Sequence, residues 1–300
     1  MKLSGRRTSS NIDDRRGQRG GGITGGGAGK FGIGTIVIMA IVFFMGGNPL
    51  DYIGLGGGGS PAPATQTAPV DPDNLPGGNV NEAGSYANIV GVTLGSTEEV
   101  WGTLFPQQYG RQYQQPVLTL FNGQAQSGCG FASAATGPFY CPADSKVYID
   151  LSFADQLRQR FGAPGDFALA YVVAHEVGHH VQNLLGYSQI VSRARGRTSE
   201  EESNALSVRL ELQADYLAGV WSKYANQQDQ LLEPGDIGEA IDAATAIGDD
   251  RLQMEAQGYV VPESFTHGTS QQRVDAFTSG YQSGDASKEA LDRFFSAREL

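Results

Sequence analysis

Ala170-Tyr171-Val172-Val173-Ala174-His175-Glu176-Val177-Gly178-His179-His180-Val181-Gln182-Asn183-Leu184-Leu185-Gly186 is the stretch from which the rest of the chain is read. Asp166, after Pro164-Gly165, is a helix N-cap residue, and Gly186 is a stop, so a helix is predicted over 167–185. Residues four apart on a helix share a face, so His175 and His179 present two imidazoles to one ion. Glu176 lies about 100° round the helix, within reach of a water on that ion, as a general base. Leu169, Val172, Val173, Val177, Val181, Leu184 and Leu185 make the helix apolar nearly all round, which predicts burial. Two His and a Glu inside such a helix must be satisfied, and a metal does that.

A catalytic zinc site takes a third protein ligand and keeps a fourth position open. The metzincin pattern would place Gly at 182 and His at 185; Gln182 and Leu185 exclude it. A second helix, predicted over 199–224, carries Glu211-Leu212-Gln213-Ala214-Asp215. Glu211 and Asp215 share a face with Asn204, Ser207, Ala214 and Ala218, whose small or polar side chains leave room for an ion. Glu211 is therefore the expected third ligand, and Asp215 the acceptor of the outer N–H of a ligand His. Two imidazoles and one carboxylate favour Zn2+ over calcium or magnesium, one ion per chain. Thr266-His267-Gly268-Thr269-Ser270-Gln271-Gln272-Arg273 precedes and opens a further helix with a capping-box pattern. Either His267 or Arg273 could stabilise a developing oxyanion, with His267 preferred. His180 points about 100° away from His179 and is read as packing.

Outward from these helices the pattern is α+β, with few strands first and helices after. Strands are expected at 117–121 and 146–151. Helices are expected at 97–104, from the Ser96-Thr97-Glu98-Glu99 capping pattern, and at 153–161, 236–248, 270–283 and 287–297. The strand at 146–151 is the expected site for an extended peptide to add as a further strand.

The chain has 300 residues, and half of its 42 glycines fall in the first 90. The first 50 residues carry a net charge of +5, which leaves −16 on the remainder of a chain of net −11. So acidic a remainder excludes a nucleic-acid-binding surface, which needs clustered Lys and Arg. Residues 1–30, rich in Arg and Gly, are expected to be disordered. The uncharged apolar run from Phe31 to Gly47 is about 25 Å long as a helix, so 31–50 reads as a single membrane anchor. The basic flank then stays in the cytoplasm and the remainder lies outside it, periplasmic or extracytoplasmic at a bacterial inner membrane. A cleaved signal peptide, with Ala62-Pro63-Ala64 as its site, is the alternative. Residues 51–80, rich in Gly, Pro and Ala, form a linker, and 81–300 the folded domain. Cys129 and Cys141 are expected to form a local disulfide in an oxidising compartment.

The run AYVVAHEVGHHVQNLLG, the later ELQADYLAG, the upstream SGCGFASAATGPFYCPADSKVYIDLSF and the downstream THGTSQQRVDAF together resemble the bacterial neutral zinc metallopeptidases of the YpfJ type. The opening GRRTSSNIDDRRG and the anchor resemble them too, so the likeness spans nearly the whole chain. It implies a zincin-like peptidase domain with His175, His179 and Glu211 on zinc and Glu176 as base. The E-x-x-x-D arrangement is similar to that of thermolysin-like gluzincins. T-H-G-x-x-x-x-R is similar to the H-P-x-x-x-x-R segment of HtpX-like membrane peptidases, with Gly268 where those have Pro. The expected function is a membrane-anchored zinc metalloendopeptidase acting on peptide or protein substrates. The alternative is a non-catalytic, zinc-stabilised extracytoplasmic interaction module. A zinc hydrolase acting on cell-wall peptides or small amides, and an accessory protein working through its N-terminal segment, are further alternatives.

Overall fold

Val117–Phe121 and Lys146–Asp150 pair in parallel, Leu118 opposite Val147 and Leu120 opposite Ile149. Near-continuous burial along both strands is what a parallel pair covered on both faces requires. The computed structural model describes residues 1–17 and 75–296. In chain order its elements are β1 (Ile12–Asp14), α1 (Tyr86–Tyr109), β2 (Val117–Phe121), β3 (Gln124–Ser127), β4 (Gly130–Ser133), β5 (Phe139–Cys141) and β6 (Lys146–Asp150). Then follow α2 (Ser152–Gln159), α3 (Asp166–Leu185), α4 (Tyr187–Ala194), α5 (Glu200–Asp229), α6 (Asp236–Ala246), α7 (Asp249–Gln257), α8 (Ser270–Ser283) and α9 (Lys288–Ser296).

The fold is α+β. Its main sheet has the order β1-β2-β6-β5, with β5 antiparallel at one edge, and β3 and β4 form a separate hairpin. The Cys129–Cys141 disulfide ties that hairpin to β5. Helix α3 runs through the middle of the molecule, against α1, α5, α6, β5 and β6. This explains why its sequence is apolar all round: Phe167, Ala170, Tyr171, Val177 and Val181 are fully buried. Gly186, in the left-handed conformation, ends α3 and turns the chain into α4.

Four expectations are corrected. Residues 1–30 are not disordered throughout. Residues 1–17 are part of the fold: β1 pairs with β2, Ile12 opposite Leu118, and the Met1 amino group bonds Asp166 Oδ1 at 2.6 Å. Composition misled here because strand pairing and polar contacts to the domain hold the segment, while its few apolar residues, Met1, Leu3 and Ile12, pack on the core of the domain. The helix expected at 97–104 begins at Tyr86, capped by Ser85. Ser96 is buried mid-helix, where its hydroxyl accepts from Trp221 Nε1. Strand β6 cannot take an added peptide strand, because β2 and β5 occupy both of its edges. Helices α4 and α7 were not anticipated, since at 8 and 9 residues they are too short to show a helical period.

The expected anchor at 31–50 lies outside the described residues, as does most of the linker at 51–80. Among the described residues no helix is long and apolar enough to cross a membrane.

Candidate metal centre

Helices α3 and α5 cross at Gly178. A Cβ there would lie 3.0 Å from the Ala214 carbonyl oxygen and 3.2 Å from its Cα, so any larger residue would push the two helices apart by a few tenths of an ångström. Ala214 is flanked on α5 by Glu211 and Asp215, and the close crossing carries both to the histidines of α3. Glu211 Oε2 lies 3.2 Å from His175 Nε2, and Oε1 lies 3.5 Å from His179 Nε2. Zinc–ligand bonds of about 2.0–2.1 Å in a tetrahedron place ligand atoms roughly 3.3 Å apart, so this trio is spaced for one such ion. Burial alone would raise the Glu211 carboxyl; His179 and His175 hold it well below the usual carboxylate range.

The outer nitrogens of both imidazoles are engaged. His175 Nδ1 donates to Asp215 Oδ1 at 2.7 Å. The same oxygen accepts from the Tyr171 hydroxyl at 2.5 Å and Arg273 Nη2 at 3.0 Å, and Oδ2 accepts from Arg273 Nε at 2.8 Å. Burial would raise Asp215, but Arg273 and His175 bring it down to about 2. His179 Nδ1 faces Gln182 Oε1 at 2.8 Å, while Gln182 Nε2 donates to the Leu210 carbonyl at 2.6 Å. Because that carbonyl only accepts, the amide has one orientation, and His179 Nδ1 must carry its proton. Both Nε2 atoms thereby face Glu211, and it is at Nε2 that each ring gives up a proton to reach the tautomer metal ligation needs. Gln182 also ties His179 to the residue preceding Glu211.

Glu176 is 7% exposed, with its carboxyl raised by burial against the pull of His179 and His175; the Tyr140 backbone N–H of β5 acts in the same direction as the imidazoles. His180 is no part of the trio: its Nε2 donates to the Gln114 carbonyl at 2.6 Å, and its Nδ1 accepts from the Tyr140 hydroxyl at 3.0 Å. Burial keeps it neutral by lowering its pKa. His180 thus fastens the edge strand β5 to α3.

His267 stands in the loop before α8, half-buried against Asp249, the first residue of α7. Asp249 Oδ2 accepts the backbone N–H groups of Thr266, His267 and Gly268 at 2.7, 2.6 and 3.1 Å, and Oδ1 lies 3.2 Å from His267 Nδ1. Burial lowers the imidazole pKa, but Asp249 outweighs it and holds the pKa above its ordinary value; Glu211 adds to the rise. Gly268 packs onto Val208 and Leu212, the residues of α5 on either side of Glu211. Arg273, the other candidate oxyanion donor, is buried and spent on Asp215. It is held there because α8 meets α5 backbone to backbone at Gly219 and Gly280.

Three contributors to the site went unread in the sequence: Tyr171, Gln182 and Asp249. Tyr171 precedes His175 by four residues and Gln182 follows His179 by three, so helical spacing held the signal for both. Asp249 carried none, since its helix was not foreseen.

Arg273→Ala is expected to cost about 3–5 kcal/mol, because it leaves the buried Asp215 carboxylate without its counter-charge. Through His175 it should also weaken zinc binding about 10–100-fold. Thermal unfolding and zinc competition against a chelator measure the two; wild-type zinc affinity in this variant would refute the link from Arg273 to His175.

Residues 1–291 match the family model described as "Putative neutral zinc metallopeptidase". The chain is 46% identical over 287 residues to the uncharacterized protein YpfJ of Escherichia coli strain K12, covering 95% of this chain and 96% of that one. It is 46% identical over 203 residues to the uncharacterized protein Rv2575 of Mycobacterium tuberculosis strain H37Rv, covering 64% of this chain and 66% of that one. No solved structure matches.

Proposed function

We infer, from the premise that this chain belongs to the neutral zinc metallopeptidase family, that it is a zinc-dependent peptidase acting through the α3–α5 centre. The observation that carries this reading is the trio His175, His179 and Glu211, with both outer imidazole nitrogens anchored and the buried carboxylate of Glu176 one residue from a ligand. One zinc ion held by these three residues would polarise a substrate carbonyl and lower the pKa of a water toward neutrality. Glu176 takes the proton from the attacking water and delivers it to the leaving amine. Its raised pKa suits a group that must both accept and return a proton. His267, fixed by Asp249 through Nδ1, donates from its other nitrogen to the oxygen on which negative charge develops. Asp215 and Gln182 orient the two ligand imidazoles. With β6 enclosed, the sheet edge beside Glu176 is β5, and an extended peptide adds there.

The same reading places the N-terminal segment. The pairing of β1 with β2 supports a position for residues 1–17 in the same compartment as the metal centre, where a cytoplasmic position was expected for them. The Cys129–Cys141 disulfide suits an oxidising compartment.

The test is metal removal from the full chain. Purified protein is expected to hold one zinc per chain and to cleave an unstructured protein substrate. A chelator should abolish cleavage, and stoichiometric zinc should restore it. A zinc-free protein, or cleavage indifferent to the chelator, would overturn the reading.

A further inference from the structure

The cationic side chains that act on Glu211 have unequal partners. His267 is matched by Asp249, and Arg273 by Asp215 through a two-pronged ion pair. Arg195 is different. It stands at the end of α4, half-buried, and its guanidinium reaches α5 at Ser207, with Nη2 3.4 Å from Oγ. Ser207 is one helical turn before Glu211, so this contact sets the charge at the flank of the metal centre. Among the described residues no carboxylate lies within ion-pair distance of Arg195, and the Ser207 hydroxyl is the one hydrogen-bond acceptor found for it. Burial lowers its pKa, and the acid acting on it is Glu211, which the histidines already engage. A guanidinium offers five N–H donors in a fork that fits a carboxylate. Holding one half-buried beside a reaction centre with a single long contact to a hydroxyl costs desolvation that no ion pair among the described residues returns.

We propose that Arg195 is a specificity-determining residue that binds a carboxylate of the substrate peptide next to the scissile bond, either the chain terminus or an Asp or Glu side chain. This rests on the peptidase reading above. It gives the enzyme a preference for acid-bearing peptides, which the −16 charge of the remainder of the chain would otherwise repel. Ser207 steadies the fork: its hydroxyl donates to the Ser203 carbonyl at 3.1 Å and turns its oxygen to Arg195.

The experiment uses the full-length, zinc-loaded protein carrying Glu176→Gln, so that peptide binds without being cut. Three forms of one ten-residue peptide of Gly, Ala and Phe are titrated: a terminal amide without acids, a free C-terminus, and an amide with one internal Glu. At least one acid form is expected to bind about tenfold more tightly than the neutral amide, as a charge-assisted hydrogen bond provides. The form that gains identifies the source of the carboxylate. Adding Arg195→Gln should bring that ratio to about one, and Arg195→Lys should restore part of it, with zinc content constant throughout. A ratio of one in the parent protein, or a preference that survives Arg195→Gln, would overturn the proposal. If the wild type cleaves the neutral peptide while the acid preference is absent, the peptidase reading stands and this proposal falls. If no form is bound or cleaved, both fall.

Discussion

Glu176→Gln will keep its zinc and lose hydrolysis by about 10²–10⁴-fold, the range a positioned general base contributes. Gln has the size and shape of Glu but cannot take a proton from water. His175, His179 and Glu211 are untouched, as are the Asp215 and Gln182 contacts that orient the two imidazoles. Glu176 lies in a nearly closed setting, with its carboxyl pushed up by burial, so the neutral amide is no burden on the fold. Zinc per chain and initial rates on an unstructured protein are the two measurements, wild type beside variant. Loss of zinc in the variant would show Glu176 to be structural. Equal rates would remove the role of general base from Glu176, and zinc in both proteins with cleavage by neither would turn the site into a zinc-stabilised binding module, the one alternative that keeps the metal and needs no base.

A chain that begins at residue 80 will not reach the native fold. Arg16 is fully buried, and its guanidinium bonds Asp14 and the carbonyls of Pro76 and Gly78 at 2.7 and 2.8 Å. Glu98, buried on α1, is satisfied from the N-terminal segment by Ser9, by Asn11 Nδ2 at 2.7 Å and by Arg7 Nη2 at 2.9 Å. Without residues 1–17 that carboxylate loses all three partners, each a hydrogen bond to a charged group contributing about 1.5–3 kcal/mol. Loss of β1 also opens the edge of β2, at the pairs Ile12–Leu118 to Asp14–Leu120. Domains of this kind are stable by only about 5–15 kcal/mol, so these losses together suffice to unfold it. Circular dichroism melting of the truncated and full chains decides the matter: a cooperative transition at the full-length temperature, with zinc bound, would refute the role given to β1. The same contacts give three arginines of the basic N-terminal motif a structural use: Arg6, Arg7 and Arg16 bond acids and carbonyls of the domain.

Legibility in the sequence followed the range of the interaction. The Gly186 stop of α3 and the Thr269 capping box are local, and helical spacing with capping chemistry was enough to read them; the cap expected at Asp166 is instead Gly165, and Asp166 is the first residue of α3, bonded to the Met1 amino group. The start of α1 was misplaced because Ser96 and Glu99 carry the spacing of a cap inside a helix whose real cap, Ser85, lies eleven residues earlier. Strand β1 was missed because three residues between polar neighbours carry no periodicity; its partner is more than 100 residues away. The roles of Tyr171 and Gln182 were on the page as spacing but needed a partner to give them meaning: Asp215 and Arg273 for the first, the Leu210 carbonyl for the second.

By itself the sequence determined the chemistry of this protein. His175, Glu176 and His179 sit on one helix, and the geometry of an α-helix places them whatever surrounds it. The tertiary structure decided everything that depends on two elements meeting. It brought Glu211 to the histidines through the glycine at 178, spent Arg273 on Asp215 and left Arg195 without an ion pair among the described residues. It enclosed β6 and presented β5, and it stitched the N-terminal segment into the sheet. Each of these depends on residues tens to more than a hundred positions apart, and only the packing of whole helices and strands brings them within bonding distance.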